Sequence, residues 1–147
     1  AAGSDYLVQA FEKDEDVLTK APIAADTVAD SISADLPRDR IKAMAAVRET
    51  GGSYLRVSDD EILAAVPVLA RGSGVFAEPA GAAAYAGLAR AVEHGLVGSS
   101  DRVVVLSTGS GLKDVASAMK AVAAAGTRPM VIEPSLAALK QALERRT

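Results

Sequence analysis

No cysteine and no tryptophan occur in this chain. Disulfides, iron–sulfur clusters and cysteine-held zinc are thereby excluded. The one histidine, His94, cannot build a multi-histidine metal site, and it limits any Ser-His-Asp arrangement to a single candidate base. No metal ligand set is read from the sequence. Aromatic residues make up 3% of the chain while hydrophobic residues make up 50%, much of it alanine. That mixture suits close helix-on-sheet packing better than an aromatic-rich β-sandwich. An excess of one charge sign is lacking too: 16 Lys and Arg face 19 Asp and Glu, for a formal net charge of −3. Nothing here attracts nucleic acid or an anionic membrane surface. No apolar run approaches the roughly 20 residues that span a bilayer, and no secretory leader is read, so a cytoplasmic protein is the expectation.

At 147 residues the chain matches one domain in length. It opens on AAGSDYL rather than on methionine, which reads as the interior of a domain, so residues 1–147 are expected to form a single partial domain. Tyr6, Leu7, Ala10 and Phe11 predict a helix over Ser4–Lys13. The charged stretch EKDEDVLTKAP is expected to be exposed, and ADSISADLPRDR reads as a loop. Pro37 is placed to begin a helix to about Thr50, which Gly51 and Gly52 end. SYLRV predicts a short strand. Ser58, with Glu61 three residues on, forms a capping-box pattern opening a helix from Asp59 to about Arg71. Pro67 predicts a kink or a broken hydrogen bond inside it.

Further on, GVFA predicts a short strand or turn before a small-residue helix in which Gly81, Ala84 and Gly87 would admit another backbone closely. Val103–Leu106 predicts the most buried strand. Leu112, Val115, Ala116, Met119, Val122 and Ala123 repeat at helical spacing up to Gly126. PMVIE predicts a last strand and Leu136–Arg145 a terminal helix. Alternation of this kind predicts an α/β fold with a mainly parallel sheet flanked by helices.

Chemistry concentrates in VVVLSTGSGLKD, Val103 to Asp114. A Walker phosphate loop fails because Lys113 falls two residues after Gly111, and Asp114 stands where a dinucleotide fingerprint needs its third glycine. Two readings stay open: an ordinary turn of small residues, or a strand-end site where Thr108 makes one hydrogen bond to a planar ligand. Glu78, between Ala77 and Pro79, is either a helix cap or a ligand contact. The acids Asp59, Asp60 and Glu61 are explained by their place at a helix start, and His94 before Gly95 by a helix end. Lys113 is either solvated or reaches an anion.

Two stretches, GVFAEPAGAAAYAGL and VVVLSTGSGLKD, resemble the threonine synthase family, pyridoxal-phosphate enzymes of the tryptophan-synthase-β-like fold (fold type II). ADSISADLPRD, VSDDEIL and the opening AAGSDYL resemble it in the same order, so the similarity covers nearly the whole chain. The resemblance implies that the sheet belongs to the large domain of that fold. It implies pyridoxal 5'-phosphate as cofactor, with Thr108 beside the pyridine nitrogen. Gly109 and Gly111 would pass close to the ring edge, Glu78 would lie near the ring, and Ser31 would border the cofactor. A neutral hydroxyl does not force protonation of the ring nitrogen as a carboxylate would, which tempers the ring as an electron sink.

The departures carry as much weight. The family's Schiff-base lysine lies in a Ser-Phe-Lys-Asp-like motif towards the amino terminus, and no such motif occurs here. The glycine- and asparagine-rich phosphate loop is also missing. Lys113, in GLKD, belongs to a different element, so no catalytic residue is assigned to this chain. A hydroxyl at a ring nitrogen contributes about 1–3 kcal/mol, which alone gives millimolar affinity at best. The 147 residues by themselves are therefore expected to be inactive and to need a missing amino-terminal portion or a companion chain. The implied whole is a homodimeric lyase converting O-phosphohomoserine and water to threonine and phosphate. The alternatives are cysteate synthase or a threonine or serine dehydratase on the same scaffold, and a stand-alone non-catalytic binding or assembly module.

Overall fold

The structure, a computed structural model, describes residues 1–126 and 130–144. Among these, the helices are α1 (Tyr6–Glu12), α2 (Arg40–Glu49), α3 (Asp59–Ser73), α4 (Pro79–Glu93), α5 (Val115–Ala124) and α6 (Leu136–Glu144). Their ends follow local chemistry. Ser58 Oγ accepts from the Glu61 amide at 3.2 Å while Glu61 Oε2 accepts from the Ser58 amide at 2.6 Å, closing the expected capping box. That backbone bond, the Ser58 hydroxyl and nearby Arg90 hold the Glu61 carboxyl below its ordinary range. Pro79 occupies the first turn of α4, where its missing N–H costs no intrahelical bond. The helix α3 continues through Pro67, which cannot donate to the Leu63 carbonyl one turn back. Helix α2 begins at Arg40, three residues later than Pro37 suggests, and α1 is a turn shorter than its apolar spacing implies.

Arg90, in the last turn of α4, pairs with Glu61 in the first turn of α3 at 2.5 Å. With the short connection at 74–78, this makes α3 and α4 an antiparallel helical hairpin. Its seam is lined by Ile62, Ala65 and Val66 from α3 and by Ala80, Ala82 and Ala86 from α4. Ala121 of α5 joins the same cluster. Small side chains let these helices approach closely, so alanine rather than aromatic bulk fills this core. A second cluster gathers Tyr6, Ala10, Val17 and Met44, so the charged stretch after α1 is anchored by Val17. The Tyr54 ring meets Phe11 edge-on at 5.4 Å beside it, and the Tyr54 hydroxyl is buried without a partner among the described residues.

The expected strands do not form among the described residues, and the parallel sheet is not seen. SYLRV adopts neither helix nor strand; its one backbone bond there is from the Ala2 amide to the Val57 carbonyl at 2.7 Å. Val103–Leu106, expected as the most buried strand, lies in solvent, with Val104 86% and Leu106 73% exposed. Of PMVIE, Pro129 lies outside the described residues and Val131 is fully exposed. The physical reason is shared: a strand needs a neighbouring backbone to satisfy its N–H and C=O groups, and among the described residues no bridge pairs these segments. Pairing reduces to one antiparallel bridge, Ala77 with Ser110.

The helix read from 112–123 forms as α5, and its small residues face the core. Leu112, Val115 and Met119 are exposed, while Ser117, Ala118 and Ala121 are buried against the hairpin. The terminal helix ends at Glu144 among the described residues; Arg145 lies outside them.

Candidate functional site at the start of α4

The Ala77–Ser110 bridge clasps two segments 33 residues apart. The Glu78 amide donates to the Gly109 carbonyl at 3.0 Å, and the Gly111 amide donates to the Phe76 carbonyl at 2.9 Å. Both glycines are required by this approach. A Cβ on Gly109 would overlap the Glu78 carboxylate, and one on Gly111 would stand 2.5 Å from the Phe76 ring. Gly81 is the third close approach, where a Cβ would lie 3.1 Å from the Gly109 carbonyl oxygen; Gly87 faces open space and Ala84 is exposed.

Glu78 precedes α4, yet its side chain caps nothing. It is buried and turned instead to Lys113, whose Nζ lies 3.2 Å from Oε1 and 3.1 Å from Oε2. The anion within reach of Lys113 is therefore Glu78. Lys113 closes a short 3-10 turn, Gly111–Lys113, and Asp114 then caps α5 by accepting from the Ser117 amide at 2.9 Å. The Ser117 hydroxyl, together with that backbone bond, holds the Asp114 carboxyl below its ordinary range.

A cavity of about 190 Å³ opens beside this clasp, lined among others by Asp30, Ser31, Glu78, Lys113 and Asp114. Of the residues singled out from sequence, Ser31 and Glu78 share its wall, and Gly109 abuts Glu78 from outside. Thr108 is exposed and does not line it. Sequence reading missed Asp30 and the Lys113–Glu78 pair; GLKD carried the signal only as a lysine able to meet some anion. A wider cleft of about 390 Å³ near Val17 and Met44 is walled by Asp14 and Glu15, charges already paired with Arg48 and Lys20.

Three carboxylates against one ammonium make the smaller cavity unfavourable for a phosphate, but not for a ring edge or an amino group. Two of the acids at the start of α3 are occupied elsewhere: Glu61 in its capping box, and Asp59, which accepts from the Thr27 hydroxyl at 2.5 Å and the Val28 amide at 3.0 Å. His94 ends α4, followed by Gly95 with φ 69°, as its spacing suggests. No described helix is long and apolar enough to cross a membrane.

The model of the pyridoxal-phosphate-dependent enzymes matches residues 1–109, and the chain belongs to that family. Among curated relatives, its similarity is to threonine synthases. The Methanocaldococcus jannaschii enzyme is 36% identical over 146 residues, 98% of this chain and 34% of that protein. The Methanosarcina acetivorans enzyme is 36% identical over 97% of this chain and 34% of its own length. The Mycobacterium tuberculosis enzyme reaches 43% identity over 95 residues, 65% of this chain and 26% of that protein. The chain thus spans about a third of the length of the two archaeal relatives.

Proposed function

We propose that this chain is the carboxyl-terminal part of a threonine synthase, a lyase that makes threonine and phosphate from O-phosphohomoserine and water. The observation that carries this reading is similarity to threonine synthases over 98% of the chain, joined to a clasp built on the residues that the family resemblance singles out. Residues 1–147 act as one partial domain, and the amino-terminal portion or a companion chain supplies the rest.

The residues present fit one edge of pyridoxal phosphate. Thr108, exposed and with no side-chain hydrogen bond among the described residues, would turn its hydroxyl to the ring nitrogen, and Gly109 and Gly111 keep side chains off the adjoining backbone. Glu78 and Ser31, which line the cavity, would border the ring. The phosphate end does not belong here, given the acidic lining, and Lys113 is engaged by Glu78. Bound at this edge, the cofactor supplies an electron sink for carbanion chemistry on an amino acid. The task of this chain's own residues would be positional: Thr108 would hydrogen-bond the ring nitrogen, and the clasp holds Gly109 against Glu78 and Gly111 against Phe76.

The test begins with intact masses of every polypeptide in the purified sample. The complete assembly should then release phosphate from O-phosphohomoserine and not from O-phosphoserine. The 147-residue chain alone should release none and should bind pyridoxal phosphate no more tightly than about millimolar. A chain of about 15 kDa that is encoded alone and has no partner would refute the enzyme assignment.

A further inference from the structure

A hydroxyl and a carboxylate make opposite demands on one pyridine nitrogen. The hydroxyl of Thr108 tolerates the unprotonated nitrogen. A carboxylate nearby favours the protonated, cationic one, raising its protonation midpoint by about 1–3 pH units. Glu78 is such a carboxylate: it is buried, and a Cβ on Gly109, the residue after Thr108, would overlap it. Burial strengthens the field of a charge, because less water screens it.

What offsets that charge is Lys113. Its Nζ stands 3.2 Å from Oε1 and 3.1 Å from Oε2, so both carboxylate oxygens meet one ammonium. A lysine near the surface has a flexible stem and gains little by holding one geometry. Here the root of the stem is fixed. The Lys113 amide donates to the Ser110 carbonyl at 3.0 Å, and the Asp114 amide donates to the Gly111 carbonyl at 3.2 Å. One turn therefore carries both Gly111, which meets Phe76, and the ammonium that meets Glu78. The other charged groups lining the cavity, Asp30 and Asp114, are acids and cannot take this part; Asp114 accepts from the Ser117 amide instead. Among the described residues no second cation lines the cavity.

We propose that Lys113 is a positioning residue of this site: its ammonium fixes both oxygens of Glu78 and cancels the carboxylate's charge beside the Thr108 turn. The ring nitrogen then meets a hydroxyl in a near-neutral setting. Lys113 acts through Glu78, and the inference rests on the functional reading above.

The test is nitrogen NMR of pyridoxal phosphate labelled at the ring nitrogen, bound to the polypeptide encoded by the complete gene and followed against pH. Lys113→Met leaves the carboxylate uncompensated and should raise the midpoint of the ring-nitrogen signal by about one pH unit, tenfold in proton affinity. Glu78→Gln leaves the ammonium uncompensated and should lower the midpoint. That shift should be smaller, because the Lys113 side chain is 60% exposed and screened by water. Lys113→Arg keeps the charge and should keep the midpoint, as should Glu78→Gln combined with Lys113→Met, which carries neither charge. A structural role alone would lower the urea midpoints of these variants without any opposition of sign in the nitrogen signal. Single variants that shift the signal the same way, or a Lys113→Met protein that leaves it in place, overturn the proposal and retain the functional reading. Where Lys113→Met does not fold, Glu78→Gln against the double variant decides, and equal midpoints overturn the proposal. An unaltered complete polypeptide that binds no pyridoxal phosphate overturns both readings.

Discussion

Replacing Lys113 by methionine tests whether the clasp is held by charge. The Glu78 side chain is 7% exposed and that of Lys113 is 60% exposed, at 3.1 Å. For unit charges at that separation, an effective dielectric constant between 20 and 80 gives about 1–5 kcal/mol of attraction. Ordering the lysine and screening by solvent reduce the net value of a half-exposed pair to about 1 kcal/mol. Lys113→Met should cost more than that net value, about 2 kcal/mol. It leaves a buried carboxylate whose one hydrogen-bonding partner among the described residues is gone. Glu78→Gln removes the charge itself and should cost about 1 kcal/mol. The double variant should cost less than the sum, with a coupling of about 1 kcal/mol. Urea unfolding reads each value; with slopes of about 1–3 kcal/mol/M, the lysine variant should shift its midpoint by about 1 M. Additivity within about 0.3 kcal/mol would refute the reasoning and leave the clasp to its two backbone bonds alone.

Three further outcomes follow from the same packing. Gly109→Ala should lower stability by about 2 kcal/mol or more, because its methyl overlaps the Glu78 carboxylate; an unchanged thermal midpoint would mean the clasp yields without cost. Tyr54→Phe should be neutral or stabilising by up to about 1 kcal/mol, since the hydroxyl it removes is buried unbonded, and a loss in urea midpoint would reveal a partner. Glu61→Gln should cost about 1 kcal/mol near neutral pH. The folded Glu61 carboxyl titrates below its ordinary 4.5, so its contribution is present above that pH and is lost as pH falls through the lowered value. The gap between variant and unaltered chain should therefore close on acidification, and a constant gap down to pH 3 would contradict this assignment.

Helix ends were legible in the sequence because their causes are local. Ser58 and Glu61 lie three residues apart, Pro79 sits one residue inside its helix, and Gly51 and Gly95 take the left-handed conformation after theirs. The buried face of α5 was not legible. Its sequence, VASAMKAVAA, offers an apolar choice on more than one side. Periodicity marks which residues are apolar; whether the large or the small ones meet α3 depends on how closely two helices can approach. Glu78 was recognised as an unusual acid, but its partner is 35 residues away and no spacing rule connects them.

The strands failed for a different reason, and it bears on the site. Branched apolar residues at 103–106 encode a preference for extended backbone, which is a property of those residues alone. Whether that preference becomes a buried strand depends on neighbours that supply hydrogen bonds and cover, and here Val104 and Leu106 meet water instead. Thr108 inherits that condition. Its neighbours on the carboxyl side are fixed by the Glu78–Gly109 and Gly111–Phe76 bonds, while on the amino side residues 102–107 bond to nothing described. One end of the segment carrying the candidate ring contact is therefore held by groups within the chain, and the other has no backbone bond among the described residues. A hydroxyl must be held to within a few tenths of an ångström to tune a ring nitrogen, so Thr108 can do this only when both ends are fixed. On the proposed reading Glu78, Gly109 and Gly111 are the part of the site fixed by bonds among the described residues, and Thr108 stands at its unpaired margin.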